Sequence, residues 1–215
     1  LMKMDMGGAA AVLGAFTGLR EAGAAASVTG WLMCTDNMPS GTAYKLGDVL
    51  TARDGTTVEV KNTDAEGRIV MMDAIALAVE EGVDAIIDIA TLTGAALMAL
   101  GQLTAPVLGN DQRVVDLTLA ASAVTGEPLW QLPLERKYRP QLDSDVADLA
   151  NIGGRYAGAT TAALFLDHFT RKTPWAHLDI AGTMAVDADE SWRSKGATGF
   201  GARLLLETAL TFTKA

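Results

Sequence analysis

The stretch Lys61-Asn62-Thr63-Asp64-Ala65-Glu66-Gly67-Arg68 holds the most concentrated chemistry in this 215-residue chain. Asp64 and Glu66 stand two apart, so in extended backbone both carboxylates point to one side. Ala65 between them is small, Gly67 permits a tight bend, and Arg68 can hold an anion beside the same pocket. Two converging carboxylates with no histidine suit hard or borderline divalent cations bound through oxygen. A plainer reading competes on residue types alone: Thr63 or Asp64 caps a helix, and Glu66 sits well at its positive end.

Other chemistries find no motif. The two histidines, His168 and His177, form neither HExxH nor an i, i+4 pair. There is no GxSxG elbow, phosphate-binding GxxxxGK[ST] loop or GxGxxG fingerprint. His177, in WAHLDIA, reads as a satisfied sheet histidine. The single cysteine, Cys34, lies in an apolar segment and reads as a buried structural thiol, which excludes a disulfide framework and a CxxC site. The acidic run 143–148 lacks the glycine turn and final glutamate of an EF-hand loop, and reads as a solvated loop.

These residues need a scaffold, and the hydrophobic pattern supplies one. Residues 6–25 read as a tightly packed buried helix, and 27–34 (SVTGWLMC) as a strand. Asp54-Gly55 marks a hairpin turn, with Val58 and Val60 alternating in its second strand. After 62–67 the period becomes 3.6, with Ile69, Met72, Ala76 and Val79 on one face and a glycine stop at Gly82. Residues 83–89 read as a buried parallel strand. A helix is expected from about Ala95, with further helices at 112–125, 155–170 and 200–214 and a strand at 175–181. The alternation predicts a single α/β layered domain with a mostly parallel sheet. The carboxylate segment stands where a strand ends and a helix begins, the usual ligand position in open α/β sheets.

Composition narrows the partners. Apolar residues make up 49% of the chain, too many for disorder, and 26 acidic against 17 basic side chains leave a net charge of −9. No concentrated basic face is visible, so nucleic acid is not an expected partner. The apolar stretches 7–19 and 89–109 are too short or too interrupted to span a bilayer, and no basic n-region is visible, so a secretory signal is not expected. A cytoplasmic protein is expected.

The segment NTDAEGR (62–68) resembles the signature of the leucyl aminopeptidase family, the cytosolic two-metal peptidases. DMGGAAAVLG (5–14), NMPSGTAYKLGD (37–48), DIATLTGA (88–95), DLANIGGRYAG (148–158) and WAHLDIAG (175–182) resemble that family's other blocks, in the same order. The resemblance covers essentially the whole chain. It implies a three-layer α/β/α catalytic domain of the zinc-exopeptidase type, with a mostly parallel mixed central sheet over 1–215 and without the family's smaller N-terminal domain. Residue by residue, it implies metal ligation by Asp5, Asp64 and Glu66, with Glu66 bridging two divalent ions, Mn²⁺ or Zn²⁺. Arg68 matches the arginine that holds a bicarbonate acting as general base. Met2, Thr91, Gly94, Ala181 and Met184 match the pocket for the first side chain, which suits leucine-like residues. Asn62, Ala65 and Leu92 match positions that contact the substrate backbone or the next residue. Peptides with a free N-terminus are the implied substrates, and a homo-hexamer the implied assembly.

The family pattern also carries a lysine, an aspartate and a second lysine before the position of Leu1, for metal ligation and oxyanion stabilisation. Without them the expectation is a chain that by itself has little or no aminopeptidase activity. Two alternatives stay open: a non-catalytic truncated homologue acting as an oligomeric scaffold, and another two-metal hydrolase such as a phosphoesterase, for which only Arg68 is suitably placed.

Overall fold

The computed structural model describes residues 2–213. A 3₁₀ turn, Met2–Met6, leads into α1 (Gly7–Gly18). The hairpin forms at the expected turn, pairing β1 (Val49–Thr51) with β2 (Thr57–Glu59) in antiparallel fashion. Then come α2 (Glu66–Glu80), β3 (Ile86–Ala90), α3 (Gly94–Leu100), β4 (Ala105–Gly109), α4 (Gln112–Thr125) and β5 (Leu129–Gln131). A second 3₁₀ turn, Arg136–Leu142, and β6 (Leu149–Ala150) precede α5 (Gly158–Phe169) and β7 (Trp175–Asp179). The short β8 (Ala185–Val186) and β9 (Gly196–Ala197) form a ribbon before α6 (Ala202–Thr211). Position 214, the expected end of that last helix, lies outside the described residues.

The central sheet has the order β3-β7-β4-β5. β3 runs parallel to β7, β5 parallel to β4, and β4 antiparallel to β7, so the sheet is mixed with parallel pairs in the majority. A smaller sheet, β1-β2-β6, joins β6 parallel to β2. Alternation along β7 sends successive side chains to opposite faces, and two separate cores result. Trp175 packs with Ile69, Met72 and Ile75 of α2 and with Phe165 of α5. Ala176 and Leu178 pack on the other face with Ala11 of α1, Val115 of α4 and Leu204 of α6. Helices therefore cover both faces, the α/β/α layering expected from the sequence.

Three expectations change. Residues 27–34 form no regular strand, and Cys34 is exposed. Val28, Leu32 and Met33 are exposed as well, so an apolar β-branched run found no neighbouring edge to pair with. The first helix spans 7–18 rather than 6–25, and only Gly8, Ala11 and Ala15 are buried in it. Its contact with the sheet is nevertheless close: a Cβ at Gly8 would lie 2.2 Å from the Ile89 carbonyl oxygen. Finally, Asp64 lies in a turn and Glu66 opens α2, so the extended geometry that would align their carboxylates does not occur.

Candidate active site

The carboxyl ends of β3 and β7, the amino end of α2 and the turn before α1 meet at one rim of the sheet, where two buried polar side chains fix the loops. The first is Asn151, fully buried after β6. Its Oδ1 accepts from the backbone N–H groups of Lys61 (2.8 Å) and Asn62 (3.1 Å), and its Nδ2 donates to the Asn62 carbonyl (2.6 Å) and more weakly to that of Ala65. One amide thus sets the path of the whole carboxylate segment, and the Asn62 side chain adds an acceptor for the Asp64 N–H at 2.8 Å. The second is Asp179 at the end of β7, also fully buried. It accepts from the N–H groups of Leu92 (3.0 Å) and Thr93 (3.2 Å) and from the Thr93 hydroxyl (2.6 Å), and at 3.3 Å from the Ala181 N–H. Thr93 in turn caps α3 by accepting from Ala96 N–H.

No side chain caps α2: its N-cap is Ala65. The capping role that residue types suggested for Thr63 or Asp64 is not taken, while Glu66 does occupy the first turn. Glu66 Oε2 is buried without a hydrogen-bond partner. Burial, with the charges of Asp5 and Asp64 adding to it, raises the Glu66 carboxyl above its ordinary range. The three carboxylates therefore lie within electrostatic reach, yet among the described residues no group of three acidic, histidine or cysteine side chains converges as a ready metal cluster. Asp5 is engaged elsewhere, its carboxylate and its backbone carbonyl both accepting from the Thr91 hydroxyl. The donor chemistry suits a divalent cation all the same. An orphaned buried carboxylate oxygen beside two further carboxylates is the hard oxygen donor set that a divalent cation takes.

Arg68 lies in the first turn of α2 and is 5% exposed. Its Nε and Nη1 are buried without partners. Burial lowers its affinity for the proton to about 10, opposed by the charges of Asp179 and Glu66. Gly67 before it lets Leu92 approach, since a Cβ there would meet Leu92 Cδ1 at 3.2 Å.

A cavity of about 990 Å³ opens beside these groups, between α1, α2, the free edge of β3 and the irregular 26–38 segment. Met2, Asp5, Asp64, Ala65, Glu66 and Thr91 line it, together with Leu92 and Gly94. Asn62, Arg68, Ala181 and Met184 do not. Met184 lies near Thr91 and Ile180 around Gly7, at the start of α1. Tyr44 was not singled out in the sequence. Its hydroxyl donates to the Thr63 carbonyl at 3.2 Å, and burial together with the Glu66 and Asp64 charges raises its proton affinity. Asn151 and Asp179 were likewise missed as site residues; the one usable signal was that each falls in a block resembling the family. The acidic run 143–148 is tied to the small sheet, Asp148 accepting from Thr57 and Ser144 donating to Glu59.

Over residues 1–206 the chain matches the family model described as the cytosol aminopeptidase family, catalytic domain. It is 50% identical to a probable cytosol aminopeptidase of Synechococcus sp. (strain JA-3-3Ab) over 210 residues, covering 98% of this chain and 41% of that protein. A probable cytosol aminopeptidase of Alkaliphilus metalliredigens is 47% identical over 213 residues, covering 99% and 43%. One from Syntrophobacter fumaroxidans is 50% identical over 210 residues, covering 97% and 42%. The chain thus spans less than half the length of these relatives. Its loops, its rim of carboxylates and its buried arginine occur in a sequence that belongs to the cytosol aminopeptidase family, matching that family's catalytic domain.

Proposed function

We propose that this chain is the catalytic portion of a metal-dependent aminopeptidase that releases leucine-like residues from the free N-terminus of peptides. The observation that carries the reading is the buried, unpartnered Oε2 of Glu66, with the Asp5 and Asp64 charges close by, at the mouth of a largely apolar cavity. Asp5, Asp64 and Glu66 would hold the divalent ions, Mn²⁺ or Zn²⁺. Such ions supply an acidified water and a polarised carbonyl when bound.

The chain's own residues divide the remaining work. Asn151 and Asp179 hold the 61–65 and 91–93 loops by backbone hydrogen bonds, so that the loops need little reorganisation when substrate binds. Arg68 would hold an anion, for which bicarbonate is the proposed ligand and which would supply a general base when bound. Met2, Thr91 and Gly94 shape the wall for an apolar first side chain, and the family resemblance assigns Ala181 and Met184 to the same pocket. Asn62, Ala65 and Leu92 present backbone to the peptide. A homo-hexamer in the cytoplasm is the proposed state; no described helix is long and apolar enough to cross a membrane.

The test uses a polypeptide containing this chain together with the family's upstream ligand pattern, loaded with Mn²⁺ or Zn²⁺. It should release leucine from leucyl peptides and leave N-acetylated ones intact, and Glu66→Gln should lower turnover by at least about 100-fold. Equal cleavage of acetylated peptides, or full activity in Glu66→Gln, overturns the assignment. Stable assembly with no bound metal would instead favour the scaffold reading.

A further inference from the structure

His177 carries no role in the reaction so far, and its surroundings are unusual. The ring is fully buried in the central strand β7. Its Nδ1 is held by Asp88 on the neighbouring strand β3, which also accepts from Trp175 Nε1, and Trp175 stacks on the imidazole at 6.2 Å between centroids. Nε2, at the other side of the ring, is buried with no partner.

The alternation of β7 places His177 on the same face as Trp175, the face covered by α2 and α5. Arg68 is buried on α2 four residues before Met72, so it lies on the helix face that shares a core with Trp175; its charge and that of Asp179 are also felt at His177. Arg68 hides Nε and Nη1 from solvent without a partner, and makes no hydrogen bond through Nη2 either. Nη2 is absent from the buried orphans, so it alone of the three nitrogens keeps access to the outside. The guanidinium thus has an enclosed edge, Nε and Nη1, and one outward nitrogen.

Leaving three polar atoms of two neighbouring buried residues unsatisfied would cost about 1–3 kcal/mol each, which one shared polar guest removes. A single water is the smallest group that would join them, and it takes two to four polar partners.

We propose that His177, fixed by Asp88, positions Arg68 through one buried water that links His177 Nε2 to the Nε–Nη1 edge of the guanidinium, turning Nη2 toward the anion at the active site. His177 is then a positioning residue, acting only through Arg68. The inference rests on the reading of Arg68 as the anion-holding group.

The experiment is side-chain NMR on the 215-residue chain, reading the Arg68 Nε–H resonance and the two imidazoles, with His168→Gln to assign His177. Bicarbonate titration, followed at Leu92 N–H, supplies the second readout. In the wild type the Arg68 Nε–H should exchange slowly and show a magnetisation-transfer contact with water. Loss of one such bridge should speed Arg68 Nε–H exchange and weaken the bicarbonate midpoint by about tenfold each in His177→Phe. His177→Gln, whose amide can still meet the water, should stay within about threefold. Asp88→Asn reports through the same two signals if His177→Phe fails to fold. Unchanged exchange and midpoint in the Phe and Asp88→Asn proteins overturn the proposal. Arg68→Met separates the two ideas. If it keeps the wild-type bicarbonate response, the anion reading falls, whereas the Nε–H exchange still judges the positioning role.

Discussion

Arg68 shows how a residue can be kept for chemistry at a cost to stability. A buried guanidinium with two unpartnered nitrogens contributes little to folding, because its desolvation is not recovered by hydrogen bonds. Replacing it with methionine, of comparable length and apolar, should leave the unfolding free energy unchanged or raise it by about 1–2 kcal/mol in urea titrations. The same change should remove the bicarbonate response. A strongly destabilised Arg68→Met protein would mean that the guanidinium is held for structure. His177 makes the opposite contribution. Burial disfavours its charged form, but the Asp88 charge and hydrogen bond, helped by Asp179 and opposed by Arg68, more than offset this and raise its proton affinity above the ordinary histidine value. A raised value in the folded state means that the stabilisation is full below the ordinary value of about 6.5 and fades as pH rises through the folded one. Urea unfolding of the wild type should therefore lose stability from mildly acidic toward alkaline pH through this group. Asp88→Asn should flatten that dependence, and an equal slope in both proteins would contradict it.

At the scale of elements, the loop between β2 and α2 is set by a side chain some 90 residues away. Asn151 satisfies two backbone donors and one close acceptor of that loop from within the core. Asn151→Ala leaves those groups buried and unpaired, which should cost about 2–4 kcal/mol in chemical denaturation. It should also weaken Mn²⁺ binding, since the Asp64–Glu66 backbone loses its anchor. An unaltered unfolding midpoint would show that the loop holds itself. The element that departs furthest from its sequence pattern is 27–34. Its β-branched and apolar residues favour a strand, but β-propensity is realised only against a paired edge. No backbone hydrogen bond joins this segment to β3 across the cavity.

The whole molecule rests on two cores separated by one sheet, with the candidate site at the rim where both are capped by loops. Placing Asp5, Asp64 and Glu66 there concentrates like charge, a repulsion that adds to burial in raising the proton affinity of Glu66. A cation that binds only the folded form should be visible globally. Mn²⁺ at about 100 times its dissociation constant should add about 2.7 kcal/mol to the unfolding free energy. Calorimetry with and without the ion reads this, and Glu66→Gln should abolish the gain; an equal gain in that variant would place the ion elsewhere.

Much of this was legible in the order of residues. Local periodicity determined α2, α4 and α5 closely, because a 3.6-residue apolar stripe with its stop signal needs no distant information. The hairpin at Asp54-Gly55 and the buried strands around Ile86–Ala90 and Trp175–Asp179 followed from turn chemistry and continuous apolar runs. The 62–68 segment left a helix cap and a carboxylate site both open on residue types, and its resemblance to the family signature pointed to the family that the comparison shows. Tertiary structure decided what depends on contacts across long separations. The clamps from Asn151 and Asp179, the approach of Tyr44 to the carboxylate loop, and the pairing of His177 with Asp88 join residues 19 to 90 positions apart, which no local pattern encodes. Burial is decided in the same way. Cys34 is exposed and Arg68 enclosed, against what their residue types suggest, because burial is set by which surfaces pack together and not by the side chain alone.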